Sequence, residues 1–88
     1  MSKHKTEIEG YTLDELADVL GDLRYDALAE FLEKFSDKLR SDAQADLRKD
    51  KLQLSDELYS AFYHARKTMD CVEKAWEISK PHMDLENE

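Results

Sequence analysis

Four side chains of this 88-residue chain could ligate a transition metal: His4, His64, Cys71 and His82. His64 and Cys71 share a helical face but stand seven residues apart, about 10.5 Å at 1.5 Å per residue. Two ligands of one zinc ion lie within about 4 Å of each other, because each bond is near 2 Å. His4 and His82 fall near the two ends of the chain, and neither Cys-x-x-Cys nor His-x-x-x-His occurs. A covalent mechanism needs Cys71 or a serine beside a base, and His64 is two turns from Cys71. Neither a Gly-x-Ser-x-Gly elbow nor a phosphate-cradling glycine loop is present. The sequence therefore assigns no catalytic residue, no metal ligand and no cofactor, and the expectation is a protein that is not an enzyme.

Paired carboxylates are the one further pattern with chemical meaning. Glu30-x-x-Glu33 and Asp70-x-x-Glu73 fall at matching heights if their two helices run antiparallel. This spacing resembles that of the all-helical nucleotide pyrophosphohydrolases, which hold magnesium between facing acidic pairs. The resemblance covers four residues and lacks the doubled glutamate of that family's motif. It implies a small metal-dependent hydrolase as the distant alternative. Against it, with Leu28 at zero and 100° per residue, Glu30 falls at about 200° and Glu33 at about 140°, away from the apolar stripe. On that reading the four acids form a solvated face.

Asp14, Asp18, Asp22, Asp26 and Glu30 recur every four residues. On one continuous helix they would make a carboxylate row spaced like phosphates, a feature of an acidic inhibitor or nucleic-acid mimic. Gly21 and Asp22 are expected to interrupt it.

The elements that carry these residues follow from capping and periodicity. Thr12-Leu13-Asp14-Glu15 is a capping box, and Leu13, Leu16, Ala17, Val19 and Leu20 give one apolar face, so a short helix is expected over 13–20 with Gly21 as its cap. Asp22 is the expected cap of a second helix over about 23–49. Its stripe is Leu28, Phe31, Leu32, Phe35 and Leu39, with Ala43 and Leu47 continuing it more weakly, and a kink near Arg40 is the alternative to continuity. A connection over 50–54 and an N-cap at Ser55 precede a third helix. Leu58, Phe62, Ala65, Met69, Val72 and Trp76 recur at heptad spacing along it. Pro81 is expected to end it near 79–80.

Two long helices joined by a short loop run antiparallel. The expected fold is all-α: an antiparallel hairpin with a short N-terminal helix packed across its open end. That is a three-helix bundle, and a dimer of it would make a four-helix bundle. The whole is one domain, with a flexible arm over 1–10, a helical core over 11–80 and an acidic tail over 81–88. The expected buried set is Leu28, Phe31, Leu32, Phe35, Leu39, Leu58, Phe62, Met69, Val72 and Trp76. Helix 3 carries more apolar side chains than this set uses. Tyr59, Ala61, Tyr63, Thr68, Ala75 and Ile78 are the surplus, and they are the candidates for a protein interface.

Charge sets the class of partner. The formal net is −8, with 13 Lys and Arg against 21 Asp and Glu. Direct nucleic-acid binders and anionic-membrane binders carry the opposite surplus. No apolar run exceeds three residues, far short of the roughly 20 of a membrane span. Lys3 and Lys5 precede no apolar stretch, so a signal peptide is not expected. One cysteine forms no internal disulfide. Residues 38–67 hold 7 bases and 5 acids, whereas both flanking regions are acidic, so the hairpin tip and its open end should differ in sign. The reading is a cytoplasmic, non-enzymatic helical module that binds another protein as subunit, adaptor or regulator, with a homodimer as one form of that contact. The alternative is the acidic inhibitor of a basic surface.

Overall fold

The computed structural model describes residues 4–86; the expected features at 1–3 and 87–88 lie outside the described residues. Three helices follow in order: α1 (Leu13–Gly21), α2 (Tyr25–Arg48) and α3 (Leu52–Glu86). Among the described residues there is no strand beyond an isolated bridge between Ile8 and Tyr11. Gly10 makes that tight turn possible with φ of 89°, a conformation that costs a Cβ-bearing residue energy. The fold is all-α, with α2 packed against α3.

The first helix begins as its sequence dictates. The Glu15 amide donates to Thr12 Oγ1 at 3.0 Å, and the Thr12 amide donates back to Glu15 Oε1 at 3.0 Å. Its end differs from expectation: Gly21 is still helical, and Asp22 is the C-cap. Asp22 therefore does not cap α2, whose N-cap is Arg24 with no side-chain cap bond. Helix α2 is continuous through Arg40.

The chain reverses in three residues, 49–51, rather than five. The Asp50 amide donates to the Leu47 carbonyl at 3.1 Å and the Lys51 amide to the Asp46 carbonyl at 2.9 Å. This pair of bonds is a Schellman cap, with Asp50 in the left-handed position at φ 61°. The Ser55 amide already donates to the Lys51 carbonyl at 2.9 Å. Helix α3 thus starts one turn earlier than expected, and Ser55 is an interior residue, not the N-cap. At the other end α3 runs on through Pro81. Proline removes one donor, and the residue before it is only biased against helix. Pro81 is exposed, so water can satisfy the carbonyl that loses its partner.

The seam between α2 and α3 sets small residues of α2 against the heptad line of α3. Ala29, Ser36 and Ala43 on α2, and Ser55 and Met69 on α3, are the buried residues among those described. They fall at heptad steps on both helices: 29, 36, 43 and 55, then 69. The Ser55 hydroxyl donates to the Ala43 carbonyl at 2.8 Å, which requires the backbones to approach closely. The expected core therefore shifts. Phe35 is 47% exposed, and Leu28, Phe31, Leu32, Leu39, Leu58, Phe62, Val72 and Trp76 are half-buried, leaving Met69 as the one fully buried member of the expected set. Their stripe on α2 is turned about a quarter turn from the seam, at 100° per residue.

Nor does α1 close the bundle. It has no buried residue, and Leu13 and Val19 are exposed. The radius of gyration is 16.3 Å, with extents of 54 × 29 × 13 Å. A compact chain of this length would have a radius near 12 Å. No described helix is long and apolar enough to cross a membrane.

Candidate interaction surfaces

A hairpin paired through its seam presents two broad faces, and the seam residues fix which side chains lie on each. Antiparallel helices turn in mirror sense about their shared seam. Residues displaced in the same angular direction from Ala29 on α2 and from Phe62 and Met69 on α3 therefore share a face.

One face is polar and carries the side-chain bonds that cross between the helices. Arg66 of α3 reaches across to α2, donating from Nε to Ser36 Oγ at 2.7 Å and from Nη2 to Asp37 Oδ1 at 2.7 Å. The Ser36 hydroxyl in turn donates to the Glu33 carbonyl at 2.8 Å, so the buried serine has both its roles filled. The guanidiniums of Arg40 and Arg66 lie 5.4 and 5.3 Å from the Phe62 ring centroid. At the open end Arg24 lies 5.0 Å from the Trp76 ring centroid and grips Asp26 with two bonds of 2.7 and 2.8 Å. That contact holds the Asp26 carboxyl below its ordinary range, through the Arg24 hydrogen bond first. Between these two arginine clusters runs a groove lined by Asp26, Glu30, Glu33, Glu73 and Glu77, with Ala29 and Trp76 at its floor.

The groove alters the expectation for the paired acids. Because the seam is centred on Ala29 rather than Leu28, Glu30 and Glu33 lie beside it and share a groove with Glu73. All four acids remain exposed, as a solvated face requires. Asp70 is not among the lining residues. Among the described residues, no three His, Cys, Asp or Glu side chains converge as metal ligands would.

The other face is apolar. Leu28, Phe31, Leu32, Phe35 and Leu39 line its α2 side, with the Phe31 and Phe35 rings stacked at 6.0 Å between centroids. Leu54, Leu58, Ala61, Ala65, Thr68, Val72 and Ala75 line its α3 side. The α2 side is large and the α3 side, in its middle, is small. No described helix packs over this face.

The six interface candidates divide among three sides. Ala61, Thr68 and Ala75 lie on the apolar face, and the Thr68 hydroxyl donates to the His64 carbonyl at 3.1 Å. Tyr59 and Tyr63 lie on the polar face, where Lys67 Nζ stands 4.7 Å from the Tyr63 ring centroid. Ile78 points away from the hairpin and is 74% exposed. The large residues opposite Ala61 and Thr68, Phe35 above all, belong to the same surface. Their heptad-like stripe had assigned them to the core. Of the acidic candidates, Asp14 and Asp18 are on α1, Asp22 caps it, and Asp26 and Glu30 are on α2. The break at 22–24 separates them into two groups rather than one row.

No protein-family model matches the chain, and neither a curated protein nor a solved structure matches it at a significant level.

Proposed function

We propose that this chain is a non-enzymatic helical protein–protein interaction module, a subunit, adaptor or regulator, that binds through the apolar face of the α2–α3 hairpin. One observation carries the reading. The two helices are already paired through Ala29, Ser36, Ala43 and Ser55, yet Phe35 stays 47% exposed and Leu28, Phe31, Leu32 and Leu39 beside it are only half-buried. Apolar area left in water is unfavourable by roughly 25 cal/mol per Å², so a partner that covers this face gains what the fold itself does not use. The compartment we assign is the cytoplasm, where the exposed thiol of Cys71 would stay reduced.

The test is a photo-crosslinking side chain placed in turn at Phe35 and at Glu33 in cells. Position 35 should capture a protein chain, and position 33 should not. Capture from 33 alone would overturn the reading in favour of the second one.

That second reading is the acidic inhibitor of a basic surface. It is supported by the five carboxylates along one groove and the net charge of −8. The two readings separate by salt: an apolar contact survives 1 M salt, whereas a carboxylate contact is lost as the screening length falls to about 3 Å.

A further inference from the structure

We infer that the occupant of the apolar face is a second copy of this chain, stacked face to face about a twofold axis parallel to the helices. The inference rests on the interaction-module reading and names its partner.

The area argument comes first. A monomer of 10.3 kDa should expose about 5,350 Å², and this chain exposes 7388 Å². The excess is about 2,000 Å² by that scaling, shared among the arm, α1 and the faces of the hairpin. Covering half of it on each of two chains would bury about 2,000 Å² in the pair, the scale of homodimer interfaces.

The chain's own remaining helix cannot fill this role. Helix α1 has 9 residues against 24 in α2, so it spans roughly 14 Å of a face roughly 36 Å long.

Shape selects the second copy. About an axis parallel to the helices, α2 of one protomer lies over α3 of the other, and heights along the hairpin are preserved. The Ser55–Ala43 and Arg66–Ser36 contacts show which heights correspond: residue numbers across the hairpin sum to 98–102. Phe35 then lies level with residues 63–67, above the small strip of Ala61, Ala65 and Thr68. The large side meets the small side twice, as twofold symmetry requires. The product is a four-helix bundle with antiparallel neighbours and both hairpin tips at one end.

Charge opposes this arrangement. Each chain brings −8, and the acidic open ends meet at the end away from the tips. The dimer must therefore tighten as salt rises from low to moderate concentration, because screening removes repulsion while apolar burial persists.

Sedimentation equilibrium on the full chain tests the occupant, and a spin label tests the arrangement. The expected result is a dimer at tens of micromolar, several-fold tighter at 0.3 M than at 0.02 M salt. Phe35→Glu and Thr68→Arg, on different helices and both at exposed positions, should each give a monomer that keeps its helical circular dichroism. Tyr63→Glu, on the polar face, should stay dimeric. Spin labels at Asp50 in a Cys71→Ser background should lie about 10–20 Å apart, the scale of neighbouring helices in a bundle. A distance above about 35 Å, one length of α2, would overturn the parallel axis. A monomer under all conditions would overturn the second copy. If the label at position 35 still captures a different protein, the interaction-module reading stands without it; if that label captures nothing, both fall.

Discussion

Replacing Ser55 with leucine separates two accounts of how the hairpin is held together. If α2 and α3 pair as an ordinary heptad seam, position 55 is the place where the repeat 55, 62, 69, 76 lacks a large side chain. Leucine would then extend the seam and add up to about 1.5–3 kcal/mol of burial. The structure argues the reverse. Ser55 is 1% exposed and faces Ala43, which is 0% exposed, and its hydroxyl reaches the Ala43 carbonyl at 2.8 Å. There is no room for two further heavy atoms without moving a backbone. Overpacking of this kind costs about 1–3 kcal/mol, and the lost hydrogen bond adds about 0.5–1.5 kcal/mol. The expected loss is therefore about 1.5–4.5 kcal/mol in total, by those same two figures. Urea unfolding measures it: at a slope near 1 kcal/mol per molar for so small a chain, the midpoint should fall by about 1.5 M or more. Ser55→Ala should cost at most about 1 kcal/mol, since the Ala43 carbonyl keeps its helical partner. Ala43→Gly in the leucine background should recover part of the loss by making room. A Ser55→Leu protein as stable as the wild type, or more so, would refute the close-approach account.

Four further outcomes follow from features of the chain ends and crossings. Asp50→Gly should stabilise the hairpin by about 0.5–1 kcal/mol, because glycine occupies the left-handed position at φ 61° without the Cβ penalty; a higher thermal midpoint checks it. Arg66→Met should cost about 1–2 kcal/mol in urea unfolding, through the lost bonds to Ser36 and Asp37, while leaving the seam intact. Thr12→Ala should unravel α1 with little change in global unfolding, since α1 has no buried residue; amide exchange over 13–21 reads this. The same box is pH-sensitive: the Thr12 amide, then its hydroxyl, hold the Glu15 carboxyl below its ordinary value. Its stabilising effect is complete above the unfolded carboxylate range and is lost as pH falls through the lowered value. Carbon chemical shifts of Glu15 across an acid titration follow it.

What could be read from the sequence depended on which side chains carried the signal. The Thr12–Glu15 box and the length of α2 were legible because caps and apolar periodicity are local. The hairpin was legible because two long stripes were joined by a short polar link. The heptad line of α3 was legible too, but the α2 side of the seam was not, because Ala29, Ser36 and Ala43 carry little hydrophobic signature, and close approach of backbones is a tertiary property. An apolar stripe reports which side of a helix avoids water, not what covers it, so Leu28, Leu32 and Phe35 read as core although they form an open face. The turn was misplaced because its left-handed position holds Asp50 rather than glycine. The interface candidates were half legible for a related reason. Ala61, Thr68 and Ala75 were identifiable as surplus to the α3 heptad line, but the large α2 residues that share their face were not, because the seam direction on α2 was a quarter turn away from the apolar stripe.

A seam of small residues also divides the positions of the chain by duty. Close approach at Ala29, Ser36, Ala43 and Ser55 tolerates few alternatives, since any larger side chain pries the helices apart. The large residues on either face meet no such constraint from the hairpin itself. Over evolutionary time the four seam positions should stay small while the faces drift, and a lineage could exchange Phe35, Leu32 or the groove carboxylates for other residues and keep the same backbone. The hairpin is in that sense a chassis: its shape is specified in one set of positions and its partner in another.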